Sequence, residues 1–382
     1  MPYQEKFEVE DFMDEYETLI EYNLGETCCY SLSLNEVEKI SGEKFEFDFD
    51  TRFTYGVIDG TEPLRELIAG LYSNQDVKFT KDNVLLTNGA IGANFLTYYT
   101  LFGKGDHVIC VSPTYQQLFS VPKMFGADVE LLHLRKENGF VPSLDEFAKL
   151  IRNNTKAIIL NNPNNPLGTV IDTASLQQIE EMAERHGITV ICDEVYRPLF
   201  HSIEQTPKSI VQLSSKGIST GSMSKAFAFA GVRLGWIVTQ DLEFLKAAKS
   251  KRHYNTISVS IADDQISQYV LRNKEPVLQR NNQLCLTNLA YLKQWLSKNN
   301  FAEFYNVPQG GSVCLLKFKG ISDTYHFSCW LAKSKRVLLV PGETFECPGT
   351  VRLGYANSYE ELVKGLDILS ASMDEYMKEF KH

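Results

Sequence analysis

The chain has 382 residues, 43% hydrophobic and 23% charged, the mix of an ordinary globular protein, most often an enzyme. At about 150 residues per domain it holds two to three domains, or two around one core, and needs no disulfide or metal staple. Basic residues number 38 against 48 acidic ones, a net charge of −10 with no basic block, which disfavours a nucleic-acid or anionic-membrane partner.

The first segment, MPYQEKFEVEDFMDEY, is charged and interrupted, so no secretory leader is expected. No run approaches the ~20 apolar residues of a spanning helix. Eight cysteines (Cys28, Cys29, Cys110, Cys192, Cys285, Cys314, Cys329 and Cys347) are scattered, mostly inside apolar runs. Buried free thiols fit a reducing compartment, so a cytoplasmic protein is expected. CxxC and HExxH spacings do not occur, so no protein-built metal site is expected.

Short β-rich runs then alternate with helical patterns, which predicts βαβ units and a mostly parallel sheet. Strands are expected at Asn83–Thr87, His107–Ser112, Asp128–His133, Lys156–Leu160, Thr189–Cys192, Ile218–Gly221 and Gly235–Thr239. Helices are expected at 90–102, 115–125, 143–151 and 176–186, the third with Ser143 and Glu146 as a capping box. From about Asp241 a long helical region runs towards Asn299, followed by β runs at 311–318 and 336–340 and a closing helix from about Tyr359. The fold class is therefore α/β. A large doubly wound domain at 50–250 is joined by a smaller α+β domain built from 1–49 and 251–382.

Five segments carry chemistry. In STGSMSKAFAFAGVRLGW, Lys225 follows an apolar run among small residues, where its ammonium can be drawn into a site. Schiff-base chemistry requires a desolvated lysine of this kind, although a Ser-rich loop can equally hold a surface lysine. Arg233 follows in a Gly-x-Arg-x-Gly setting that lets an anion approach. Asp193 ends the run TVICD, where ligands of parallel sheets bind; a carboxylate buried there calls for a cationic partner, or else is an ordinary N-cap. TNGAIGANF is a glycine turn whose first helical amides can cradle a phosphate, without the dinucleotide or P-loop fingerprint. LNNPNNPLGTV places Asn165 in a rigid loop after a strand, and Tyr115 in SPTYQQL can stack on a flat ring or serve as core.

In this order, the segments resemble fold type I pyridoxal-phosphate enzymes, specifically the class I/II aminotransferase family, from about Tyr22 to the C-terminus. The specific parts are Asn165-Pro-x-Gly, Asp193-x-x-Tyr196, Ser222-x-x-Lys225 with Arg233, and Val351-Arg352-Leu353-Gly354. The resemblance implies pyridoxal 5′-phosphate held as a Schiff base on Lys225, with Asp193 on its ring nitrogen and Asn165 and Tyr196 on its phenolic oxygen. Tyr115 would stack on the ring, and Ser222, Arg233 and the amides of Ala90 and Ile91 would hold the phosphate. Arg352 would clamp the substrate α-carboxylate, and Gly25 in NLGE would lie over the substrate with Asn165. Tyr55 would reach the phosphate of a neighbouring subunit in a homodimer that shares its active sites.

The resemblance also implies the reaction, an amino group passed between an amino acid and a 2-oxo acid with Lys225 moving the Cα proton. A β-lyase (C–S lyase) or an amino-acid cyclase would use the same residues. Three features depart from the family's commoner pattern. The phosphate turn offers Ala90 and Ile91 in place of a hydroxyl residue, the loop reads Pro-Leu-Gly, and no second arginine is dedicated to a side-chain carboxylate. The segment ETCCYSLSLNEV has no parallel in that pattern.

Overall fold

The computed structural model describes residues 4–380. Seven strands make one sheet; from edge to edge they begin at Val84, Gly235, Ile218, Thr189, Thr155, His107 and Asp128. Neighbours run parallel throughout, except that Gly235–Thr239 lies antiparallel to both Val84–Thr87 and Ile218–Ser222. The central strands His107–Ser112, Thr189–Asp193 and Ile218–Ser222 are almost wholly buried, as continuous apolar runs covered on both faces must be. One core, with Ile109, Ile158, Val190 and Trp236, packs on one face; a second, with Val108, Ile159, Ile191 and Ile237, packs on the other. The expected doubly wound sheet is present.

A second sheet of four short strands orders Val340–Pro341, Thr350–Gly354, Val313–Phe318 and Ala302–Phe304, all antiparallel. A third pairing joins Tyr22–Asn23 to Val337–Leu338 in parallel, which ties the N-terminal segment to the C-terminal part. The closing helix runs Tyr359–Phe380.

Three expectations are corrected. The region from Asp241 to Asn299 is not one helical stretch but three helices, Leu242–Arg252, Ile261–Arg272 and Lys274–Lys298. After the first, the Asn255 and Thr256 amides both turn back to the Arg252 carbonyl at 3.0 Å and Ile257 takes a left-handed φ of 61°, a turn that the Arg252 guanidinium ties to the sheet through the carbonyls of Leu86 and Ile257. The run 336–340 is split at Leu339 between two different sheets. Ser143 precedes the helix Leu144–Leu150, but its side chain accepts no cap bond. Glu146, the residue that would complete the box, is held instead by Arg135 at 3.0 Å. The nine-residue helix Glu8–Tyr16 has no counterpart in the expected elements. It forms because Val9, Phe12 and Tyr16 fall on one face and bury against Leu338, Val340 and Phe345.

Candidate active site

Four strands of the large sheet bring their carboxyl ends or the following turns to a cavity of about 410 Å³. Asn161 and Asp193 end adjacent strands and both line it, as do Ser222, at the end of the next strand, and Ala90 and Ile91, just past the turn that follows Val84–Thr87. The antiparallel strand contributes at its start. There Gly235 runs so close to the phosphate-type turn that a Cβ would sit 2.3 Å from the Gly89 carbonyl carbon. Gly89 itself takes a left-handed φ of +70°, which glycine adopts without strain. The small neighbours around Arg233 thus serve to press the turn against the strand, and Arg233 lines the same end of the cavity.

Asp193 points into this cavity, while Glu194 turns the other way to accept from Ser209, Ser219 and the Ile210 amide. Asp193 Oδ2 accepts from Asn94 Nδ2 at 2.8 Å, and Oδ1 accepts from the Val195 amide at 3.0 Å. Burial raises its pKa to about 6; these two bonds and Lys225 pull the other way without cancelling it. Asn94 is held in turn, its Oδ1 accepting from Thr220 at 2.6 Å and its Nδ2 also reaching Gln117 at 3.2 Å.

Lys225 lines the cavity too, with Nζ donating to Thr27 Oγ1 and lying 3.4 Å from Cys28 Sγ. Burial lowers its pKa, but Cys28, Tyr196 and Glu26 outweigh that and hold it above the ordinary lysine value. Burial pushes the Cys28 thiol up to about 11 and Tyr196 above its usual value, so both are neutral at pH 7. The anion that stabilises the ammonium there is Glu26. Burial raises the Glu26 carboxyl, but Lys225 and the Cys28 and Thr27 amides hold it below the usual range. Desolvation of the lysine, expected from its neighbours in sequence, is present, but an acid from another segment keeps it charged.

Arg352 sits mid-strand, paired with Leu315 and Val340, and is buried at 3% exposure. Its Nη2 donates to the Gly25 carbonyl at 2.9 Å, its Nη1 reaches Asn165 Oδ1 at 3.5 Å, and Nε has no partner. Tyr196 is 1% exposed and its hydroxyl likewise lacks a partner. Tyr115 lines the cavity and donates to Glu10 Oε1 at 2.7 Å. The predicted residues Gly25, Ala90, Ile91, Tyr115, Asn165, Asp193, Tyr196, Ser222, Lys225, Arg233 and Arg352 therefore share one cavity. Tyr55 does not line it; it is 74% exposed on a segment that also exposes Phe49, Phe53 and Val57.

Sequence reasoning missed Asn94, Asn161, the loop 26–28 and the helix Glu8–Tyr16, all of which line the cavity or reach Lys225. Asn94 left a signal, a lone amide in the apolar helix Gly89–Leu101 that is buried at 1% exposure. The loop left none, because its place depends on long-range bonds: Gly354 N to Leu24 O at 2.8 Å, and Ser312 Oγ to Thr27 O.

Comparison with known proteins agrees with this geometry. The family model for aminotransferase class I and II matches residues 26–366. A solved structure of a PLP-dependent aminotransferase from Streptococcus suis superposes with a TM-score of 0.90 at 34% identity, covering 99% of both chains. An aspartate aminotransferase of Thermotoga maritima is 29% identical over 81% of this chain and 80% of its own. A capreomycidine synthase of Streptomyces vinaceus is 25% identical over 76% of this chain and 74% of its own. With the family model spanning most of its length and this cavity at the strand ends, the chain belongs to the class I and II aminotransferases, transferases that use pyridoxal 5′-phosphate.

Proposed function

We propose that this chain moves an amino group between an amino acid and a 2-oxo acid, with pyridoxal 5′-phosphate carried on Lys225. One observation carries the reading: Lys225, Asp193 and Arg352 converge on a single cavity although they lie on three different strands or loops. The residues present fit the cofactor. Asp193 is buried with its pKa raised, which a cationic ring nitrogen would relieve, and the unpartnered Tyr196 hydroxyl can serve a phenolic oxygen. When bound, the cofactor supplies an aldehyde for covalent capture of amines and a cationic ring that withdraws electrons from the substrate Cα.

The chain's own groups divide the remaining work. Ser222, Arg233 and the Ala90 and Ile91 amides would take the phosphate as a charge-assisted set. Asn165 and Tyr196 would hydrogen-bond the phenolic oxygen, and Tyr115 would cover the ring. Arg352 would hold the substrate α-carboxylate with Gly25 and Asn165 beside it, since its fork already spans those two residues. Lys225 Nζ would take the Cα proton and pass it on, which requires that it first lose the proton favoured by Glu26. Tyr55 and its exposed aromatic neighbours support a homodimer in which this segment meets the partner. The free cysteines, mostly buried, support a cytoplasmic setting. No helix among the described residues is long and apolar enough to cross a membrane.

Borohydride reduction should fix the cofactor on Lys225. A panel of amino acids with 2-oxoglutarate or glyoxylate then separates the outcomes. A new oxo acid that needs the acceptor supports transamination, whereas ammonia or pyruvate without acceptor makes the chain a β-lyase. The relative named capreomycidine synthase gives a second reading, cyclisation of an amino acid, which would yield neither oxo acid nor ammonia.

A further inference from the structure

The reaction leaves part of the cavity wall unused. Besides Asp193, Lys225, Arg233 and Arg352, the charged residues lining it are Glu10, Asp14, Glu17 and Glu26, all acids. Glu26 is spoken for, because its Oε1 accepts from the Thr27 and Cys28 amides at 2.6 and 2.8 Å and it stabilises Lys225. The other three, all exposed, fall at i, i+4 and i+7, one face of the helix Glu8–Tyr16 and the residue that ends it; of them Glu10 already accepts from the Tyr115 hydroxyl through Oε1, which leaves its Oε2 for a ligand. The opposite face is anchored in the core through Val9, Phe12 and Tyr16.

This acidic face is arranged against its own electrostatics. Asp14 and Glu17 stand at the carbonyl end of the helix, where the macrodipole already presents negative charge, and no basic residue occupies the last turn. Lys6 pairs with Glu8 and Asp11 at the other end, and among the described residues neither Asp14 nor Glu17 has an ion-pair partner. The helix is fixed in place, because the Glu8 amide donates to Gln116 Oε1 at 2.9 Å and Gln116 Nε2 donates to the Lys6 carbonyl at 2.6 Å. That the cavity takes a ligand rests on different atoms, the buried and unpartnered Tyr196 hydroxyl and Arg352 Nε.

We propose that the amino-acid substrate carries a cationic side chain, an amine or a guanidinium, received by Glu10, Asp14 and Glu17 while Arg352 holds its α-carboxylate. The inference rests on the cavity being an amino-acid site, as argued above. A second carboxylate on the substrate would meet three acids there and no spare arginine. The relatives named aspartate aminotransferases act by name on such a dicarboxylate, so the substrate class would differ from theirs.

The test uses the holoenzyme and follows the cofactor's absorbance as lysine, arginine, norleucine and glutamate are titrated in. Norleucine matches the length of lysine without its ammonium. Lysine or arginine should bind about tenfold more tightly than norleucine, glutamate should bind most weakly, and the gap should shrink as salt rises. In an Asp14→Asn/Glu17→Gln double variant the lysine and norleucine affinities should converge. In Asp14→Lys/Glu17→Lys, glutamate should overtake lysine. Equal affinities for lysine and norleucine in the unaltered protein, or a gap that survives both variants, overturns the charge inference alone. If no amino acid perturbs the spectrum although borohydride fixes the cofactor on Lys225, the amino-acid reading itself fails and takes this inference with it.

Discussion

The floor of the cavity and its roof are built on opposite terms. The floor is the edge of a buried sheet, where Asp193, Asn94 and Thr220 form a bonded chain with every member inside the core. The roof is the helix Glu8–Tyr16 with the loop 26–28, whose acids are exposed or half-buried and which reaches the rest by long-range hydrogen bonds. A group that must hold a fixed charge state benefits from burial and many bonds. A group that must tell one side chain from another needs access to the ligand. Floor variants should therefore impair every substrate alike, and roof variants should change the ranking among substrates.

The largest effect belongs to Lys225→Ala. Loss of the amine proposed to hold the cofactor and move the proton should lower kcat by about four orders of magnitude for every amino acid. The purified variant should be colourless, and turnover by a colourless variant would break the assignment of the floor. Asp193→Asn should cost about a thousandfold in kcat, read in the same assay. It should also remove one pH dependence from the stability of the cofactor-free chain. The native state keeps the Asp193 proton up to about pH 6, whereas an ordinary aspartate releases it near 3.8. Native protein thus binds more protons in that window, and its stability falls as pH rises through it, by about 3 kcal/mol. Urea titrations of the cofactor-free proteins should show the parent losing about 3 kcal/mol more than the variant between pH 4 and 6.

Arg352→Ala comes next. If this buried fork holds the α-carboxylate as proposed, removing it should lower kcat/KM by roughly a hundredfold, equally for lysine, norleucine and glutamate. An effect that depended on the side chain would mean that Arg352 belongs functionally with the roof.

How much of this was legible beforehand follows the same division. All seven strands of the large sheet could be read from apolar runs bounded by turns, and the floor residues follow because strand ends are fixed by sequence order. Lys225, Asp193 and Asn165 were legible for that reason, whereas Arg352, in the middle of Thr350–Gly354 in the other sheet, was reached only through the resemblance of Val351-Arg352-Leu353-Gly354 to the family pattern. The split of 336–340 at Leu339 and the break after Arg252 were not, since both depend on partners more than a few residues away: Tyr22 in one case and the Leu86 carbonyl in the other. Glu146 shows the limit from the other side, because the local capping pattern was correct in spacing yet lost its acid to Arg135. The roof escaped for the same reason, with Glu10 and Glu26 lying more than 180 residues from Lys225 in the chain.

The smallest effect expected is at Asn94, and it probes how the floor is tuned. Its amide donates to Asp193 Oδ2 while its carbonyl accepts from Thr220, so it orients the carboxylate from the cavity wall. Asn94→Ala removes a bond that lowers the Asp193 pKa and leaves Thr220 Oγ1 without that acceptor, so the Asp193 pKa should move above about 6. Stability should fall by about 1–3 kcal/mol, the cost of unsatisfied buried polar groups. The kcat should fall about tenfold, with KM little changed, and its acidic limb should move to higher pH, because in the proposed mechanism Asp193 is ionised to keep the ring cationic. A purely structural asparagine would lower the melting temperature and leave that limb where it was. Asn94→Asp separates the two roles further, because it keeps an acceptor for Thr220 but sets a second carboxyl against Asp193, which should raise the Asp193 pKa more than alanine does.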